Sequence, residues 1–401
     1  MNIYVTGIGC VSSIGNNVID NIKSLREKIT GLKKPIFFDS KYASEFYFGE
    51  VNIDNSSLIK ELGLKNEKGL TRTDLLSMKA FDEAVRCANL SEKEISSIDT
   101  AFISASTVGG MCMTDQLYND ANLISNTKDF LSSYSCSAHT MKICKKYQMK
   151  GISDTINTAC SSSANSIMFG SKLIRSGLVK RAIVGGVDSL AKYTVNGFNS
   201  LQILSKDRCT PFDINRKGLN IGEGAAYLII ESEDVIKDKT CLAKISGYGN
   251  SNDAFHASSM SDNAIGITKA IINAIDIAGI KPDDIDYINA HGTGTLNNDF
   301  VELVGLKNVF NNNIPPFSST KSYTGHTLGA AGAIEGIYSI FSLLHGELYP
   351  NLNFKTPIPD FNLSPITKNI QNANIKFVMS NSYGFSGNCT SLIFERINNV
   401  Y

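Results

Sequence analysis

The sequence predicts an α/β fold made of two related halves, and two observations predict it. Short apolar runs at residues 3–5, 100–104, 181–184 and 227–231 alternate with helix-length segments, with glycine at many of the joints. Two stretches, 79–105 and 269–290, also read alike. Each opens with Lys-Ala, carries alanines at four-residue spacing, passes an acidic loop and ends in a short strand, FISA or YINA. Alanines at i and i+4 share one helix face, which lets a helix pack closely on a sheet. In a second correspondence, Cys160 and His326 each precede a helix rich in small residues, followed by a strand, AIVGGVD or KFVMSNS. The expected halves are 1–240, carrying Cys160, and 241–401, carrying both His291 and His326.

Composition suits this reading. With 401 residues, 42% hydrophobic and 19% charged, the chain can bury one large α/β core or two domains. Nine prolines and no low-complexity linker mean that any domains pack tightly together. Lys plus Arg equals Asp plus Glu at 38 each, so overall charge points to neither nucleic acid nor an anionic membrane as partner. The opening MNIYVTGIGCVSSIG lacks a basic region followed by a long apolar run, and no stretch approaches the ~20 apolar residues of a membrane span. The expectation is a cytoplasmic chain. Nine cysteines without CxxC pairs suit a reducing compartment and argue against both a disulfide framework and a zinc site.

Three residues then carry the chemistry. Cys160 lies in INTACSSSANSI, where an apolar strand ends and a helix begins, with Ser161, Ser162 and Ser163 placed to cap that helix. A cysteine at a helix N-terminus feels the positive end of the macrodipole, which favours thiolate, and the N–H groups there can hold an oxyanion. His291 in YINAHGTGTLNND follows a strand directly, with Thr293 and Thr295 on the same loop. His326 in STKSYTGHTLGAAGA lies between a strand and a helix, five residues after Lys321. The chain has only five histidines, and two of them stand in such Gly/Thr-rich turns. Near the C-terminus, NSYGFSGNC is a glycine-punctuated turn able to present a backbone N–H.

Together these pieces resemble the elongating β-ketoacyl-acyl-carrier-protein synthases of the thiolase superfamily. The motifs VTGIGCVSSIG, STVGGM, TACSSS, PFDINRKGLNIGEGA, AHGTGT, KSYTGHTLGAAGA and SYGFSGN follow one another in the family's order and spacing along the whole chain. The resemblance implies a duplicated, five-layer αβαβα fold and a Cys-His-His triad. Cys160 would accept an acyl group from the phosphopantetheine arm of an acyl carrier protein. His291 and His326 would hydrogen-bond a malonyl thioester oxygen, and the enolate left by decarboxylation would attack the acyl group. The N–H groups of Cys160 and Phe385 would receive the oxyanion.

It further implies that Lys321 pairs with Glu302, that Thr293 and Thr295 contact the pantetheine arm, and that Asp299 holds a family position. Phe385 would gate the pocket, Val108 would limit acyl depth and Phe198 would bind substrate. PFDINRKG would be a structural loop beside the entrance. No bound cofactor and no metal are expected. The partners implied are the carrier protein and, across a dimer, either a second copy or a related subunit. The carrier is acidic, so the mouth should be basic, with Arg175, Lys180 and Arg208 as candidates by closeness in sequence to active-site loops.

Leu296 and Asn298 stand where the family has proline and glycine, and GFSGNC replaces GFGGTN. These departures flank the pantetheine channel and the gate. HGTGTLNND and TACSSS motivate a polyene-type pigment pathway as one expectation. Three alternatives compete. A thiolase would need a second catalytic cysteine in a CxG setting, whereas Cys389 follows the glycine turn. A non-catalytic chain-length partner would lack the nucleophile. An initiating synthase would carry asparagine at His326.

Overall fold

The computed structural model describes residues 1–65, 69–122, 131–236 and 239–397. The first half supplies β1 (Ile3–Ser12), α1 (Arg72–Cys87), β2 (Thr100–Ala105), α2 (Ala138–Lys146), β3 (Ser153–Ile156), α3 (Ser162–Arg175), β4 (Arg181–Asp188), α4 (Lys192–Ser200) and β5 (Gly224–Ser232). The second supplies β6 (Ala243–Asn252), α5 (Ile265–Ala278), β7 (Tyr287–Asn289), α6 (Leu296–Phe310), β8 (Phe317–Ser318), α7 (Ala331–His345), β9 (Phe377–Gly384) and β10 (Asn388–Glu395).

The strands order as β3-β2-β4-β5-β1 in the first half and β8-β7-β9-β10-β6 in the second. Each strand of the first half thus corresponds to the strand five numbers later. The pairing sense repeats too: β2 is parallel to β3 and β4 as β7 is to β8 and β9, while β4–β5 and β9–β10 are antiparallel. The halves join through a short antiparallel β1–β6 contact at Tyr4/Lys244 and Val5/Ala243.

The alanine spacing has a direct physical cause. α1 lies so close to β1 that a Cβ on Gly9 would meet the Ala80 carbonyl oxygen at 2.0 Å, and one on Gly7 the Ala84 oxygen at 2.5 Å. In the second half Gly249 and Gly247 stand the same way under Ala270 and Ala274, at 1.9 and 2.2 Å. Small residues on both surfaces are what permit this approach.

α3 and α7 pack against each other between the two halves, where a Cβ on Gly332 would meet that of Ala164 at 2.8 Å and the Ala333 amide donates to Ser163 Oγ. The result is five layers: α1 and α2, a half-sheet, α3 and α7, the second half-sheet, then α5 and α6. Separate apolar cores fill the central layer and each outer one. Segment Leu328–His345 is in fact long and apolar enough to cross a membrane, contrary to expectation, but 89% of it is buried as this central helix. All nine cysteines are free thiols.

Candidate active site

Cys160 emerges from a tight turn immediately before Ser161, the N-cap residue of α3. Ala159 holds a left-handed φ of 53°, a conformation unfavourable to a residue with a Cβ, so the turn is over-determined by its surroundings. The serines do not cap as expected. Ser161 Oγ donates to the Thr158 carbonyl, Ser162 Oγ bonds the Ala159 carbonyl and the Thr158 amide, and Ser163 bonds α7. They lock the turn backward instead of satisfying the helix.

The thiol also departs from expectation. Burial pushes it up to about 11, against the charge of Lys321 and the Phe385 N–H that favour thiolate. Desolvation at 7% exposure outweighs the helix terminus, so the resting sulfur carries its proton.

His291 follows β7, and His326 precedes α7. Their ring centroids lie 5.3 Å apart in an edge arrangement, and the Cys160 sulfur and one ring nitrogen of each histidine lie within 4.8 Å of one another. The tautomers follow from the partners on the far side. His326 Nδ1 accepts the Leu328 amide at 3.2 Å, and His291 Nδ1 faces the Lys321 ammonium at 3.2 Å. Both rings therefore carry their proton on Nε2. Burial, with Lys321 and, for His291, also His326, pushes both imidazoles well below their ordinary range. Two neutral N–H donors converge where the sulfur stands.

Lys321 does not pair with Glu302. Its ammonium bonds Glu335 at 2.5 Å and the His291 carbonyl at 2.7 Å. Glu302, on α6, instead accepts the His291 and Gly292 amides, each at 2.8 Å, and so fixes the histidine loop from its backbone side. Burial pushes Glu302 up to about 8 and Glu335 up to about 7. Glu335 had a visible sequence signal: it is the only charged residue in AGAIEGIYSIFSLL. Asp299 accepts the Thr293, Gly294 and Phe212 amides, holding the threonine loop to the PFDINRKG segment, while Arg216 of that segment bonds the Thr295 and Leu296 carbonyls.

Two cavities meet at Cys160. One, about 320 Å³, is lined by Cys160, both histidines, Thr293, Thr295, Lys217 and Met260. The other, about 440 Å³, is lined by Cys160, Val108, Asn157, Tyr193, Thr194 and Leu328. Phe198 and Phe385 border both and stack at 5.5 Å and 18°, forming the wall between them. Gly384 lets this wall approach, since a Cβ there would lie 2.8 Å from the Thr158 oxygen and 3.0 Å from the Cys160 nitrogen.

Two of the basic candidates lie away from the mouth. Arg175 ends α3, about 20 Å from Cys160 at about 1.5 Å per residue, and bonds the Ser246 carbonyl. Lys180 sits beside Asp99 at the start of β4. Arg208 stands over the Tyr47 ring at 5.6 Å, in the loop whose neighbour Asp207 meets the channel residue Lys217 at 3.4 Å.

With this geometry in view, the matches to known proteins are decisive. Residues 1–235 match the N-terminal domain of beta-ketoacyl synthase and residues 242–355 its C-terminal domain. The chain belongs to the beta-ketoacyl synthase family. It is a condensing enzyme. Among its relatives, 3-oxoacyl-[acyl-carrier-protein] synthase 2 of Staphylococcus aureus is 30% identical, the alignment covering 99% of this chain and 98% of the relative. The protein of the same name from Coxiella burnetii is also 30% identical, covering 98% of each chain. Solved structures similar to this synthase include the ishigamide ketosynthase/chain length factor, at TM-score 0.93, 28% identity and 99% coverage of both chains. A second is the ketosynthase ApeO in complex with its chain length factor ApeC from Xenorhabdus doucetiae, at TM-score 0.85 and 29% identity, covering 99% of this chain and 98% of that one.

Proposed function

We propose that this synthase joins malonyl units to acyl groups held on Cys160, both delivered by an acyl carrier protein, the carrier named in its 3-oxoacyl-[acyl-carrier-protein] synthase relatives. One observation carries the reading: a thiol and two neutral Nε2–H donors within 4.8 Å, at the meeting point of two cavities. In the first step the sulfur attacks the carrier-bound thioester. The new C–S bond forms as the old one breaks, and the proton leaves with the pantetheine thiolate. The Cys160 and Phe385 N–H groups receive the oxyanion, and the acyl chain lies in the cavity bordered by Val108 and Phe198.

In the second step the malonyl thioester enters beside Thr293 and Thr295, its carbonyl oxygen between His291 and His326. Carbon dioxide leaves, the electron pair passes to the enolate oxygen, and the two N–H donors stabilise it. The enolate carbon then attacks the acyl carbonyl and expels Cys160. Lys321 and Glu335 hold His291 in the donor tautomer, while Glu302 and Asp299 hold its loop.

The same reading divides the chain near residue 240, needs no bound cofactor or metal, places the enzyme in the cytoplasm and has it work as a dimer with its own kind or a related subunit. The ketosynthase/chain length factor complexes among its structural neighbours favour the related subunit as a second form of that dimer. Fatty-acid and specialised polyketide elongation, polyene pigments included, both use this chemistry. Mass spectrometry of products from malonyl carrier and a ladder of saturated and polyunsaturated acyl carriers tests the reading. Products two carbons longer, absent from Cys160→Ala, support it, and undiminished condensation by Cys160→Ala overturns it.

A further inference from the structure

Asn165 lies in the first turn of α3, five residues after Cys160, and is 4% exposed. Its side-chain amide bonds in four directions. Nδ2 donates to Thr158 Oγ1 at 2.8 Å and to Ser161 Oγ at 3.4 Å, while Oδ1 accepts from Thr390 Oγ1 at 2.8 Å and from Asn250 Nδ2 at 3.1 Å. The first two partners belong to the turn that presents Cys160. The other two belong to β10 and β6, in the opposite half of the molecule.

Thr390 follows Phe385 by five residues on the β9–β10 hairpin, and Asn250 also donates to Thr390 Oγ1 at 3.1 Å and to the Cys389 carbonyl at 3.3 Å. One amide therefore ties the nucleophile turn to the hairpin whose tip carries the facing N–H. Both sides need such a tie. Ala159 and Ser386, next to Cys160 and Phe385, hold left-handed φ values of 53° and 62°. Without an external restraint these residues would relax toward commoner backbone angles.

We propose that Asn165 is a positioning residue that sets the register between the Cys160 turn and the Phe385 amide, and so the oxyanion pocket for acyl transfer. The inference rests on the proposed function of Cys160. The histidine donors are held by a separate set of bonds, from Glu302, Lys321 and the Leu328 amide. Loss of Asn165 should consequently slow acylation while leaving malonyl decarboxylation nearly intact, a split that general loosening of the core would not produce.

The test compares two half-reactions in the purified enzyme: Cys160 acylation from octanoyl-carrier protein, followed by intact mass, and carbon dioxide release from malonyl-carrier protein. Asn165→Leu removes the amide at similar size. Thr158→Val removes its acceptor while keeping the shape of the turn, and serves should the first variant fold poorly. Thr158→Ser restores the hydroxyl. Acylation should fall about tenfold or more in Asn165→Leu and Thr158→Val, as misplacement of a reacting group by a fraction of an ångström does, and recover in Thr158→Ser. Carbon dioxide release should change little. Unchanged acylation in both variants, or a parallel fall in both half-reactions, overturns the inference. Absence of acylation in the unmodified enzyme instead overturns the reading of Cys160 beneath it.

Discussion

Lys321 places its ammonium 3.2 Å from Nδ1 of His291, and this one contact decides which nitrogen of that ring faces the sulfur with a proton. An ammonium has only donors, so Nδ1 must accept and Nε2 must carry hydrogen. A buried cation beside a buried imidazole also keeps the ring neutral. Lys321→Met should release this constraint. Carbon dioxide release from malonyl carrier should fall about a hundredfold, the usual scale for losing one oxyanion donor, while Cys160 acylation falls less. Equal losses in the two half-reactions would contradict the assignment.

The Lys321–Glu335 pair makes an asymmetric stability prediction. Both side chains are buried, at 1% and 4% side-chain exposure, so removing one leaves the other without its counter-charge. Glu335→Leu strands an ammonium and should cost about 3–5 kcal/mol. Lys321→Met strands a carboxyl that burial already pushes up to about 7 and that can take a proton near neutrality, so it should cost less. Chemical denaturation at pH 7 reads the difference, and a larger loss in Lys321→Met would count against the pairing.

His326→Ala removes one of the two Nε2–H donors and leaves the sulfur and the Phe385 amide in place. Condensation should fall about a hundred- to a thousandfold, with acyl-enzyme still accumulating in the intact mass spectrum. Failure to form acyl-enzyme would instead give His326 a role in the first step.

Much of this arrangement is legible in the sequence. The duplication showed because alanines at four-residue spacing are what Gly7, Gly9, Gly247 and Gly249 require above them, and that requirement falls on both halves. The triad showed because Cys160, His291 and His326 sit at strand-to-helix turns. The partner of Lys321 did not, because two buried carboxylates, Glu302 and Glu335, lie near His291 and spacing cannot tell which faces the ammonium. The thiol's protonation differs from the sequence expectation for a related reason: a helix terminus is visible in sequence, whereas the burial that outweighs it is a property of the packed site. Arg175 and Lys180 failed as mouth residues because a helix or strand carries its far end away from the site however close the numbering.

Val108, 2% exposed, lines the same cavity beside Cys160 as the stacked Phe198 and Phe385. Val108→Phe should fill that space and shift preference toward shorter acyl groups, while Val108→Ala should lengthen the preferred chain. Competition among acyl carriers of graded length measures both. Each methylene excluded or admitted changes the preference by about 0.8 kcal/mol, roughly fourfold. Identical length profiles in the two variants would place the acyl chain elsewhere.

The resting thiol gives the pH dependence its sign. A sulfur pushed up to about 11 by burial is almost wholly protonated at neutral pH, and the thiolate fraction grows tenfold with each pH unit below that value. Alkylation of Cys160 by iodoacetamide, read by peptide mass, should therefore keep rising from pH 7 through pH 10 instead of levelling off near the usual thiol range of about 8.5. Lys321 favours thiolate, so Lys321→Met should slow alkylation at every pH below the plateau. A plateau already reached by about pH 8 would mean that the helix terminus, and not burial, governs the sulfur.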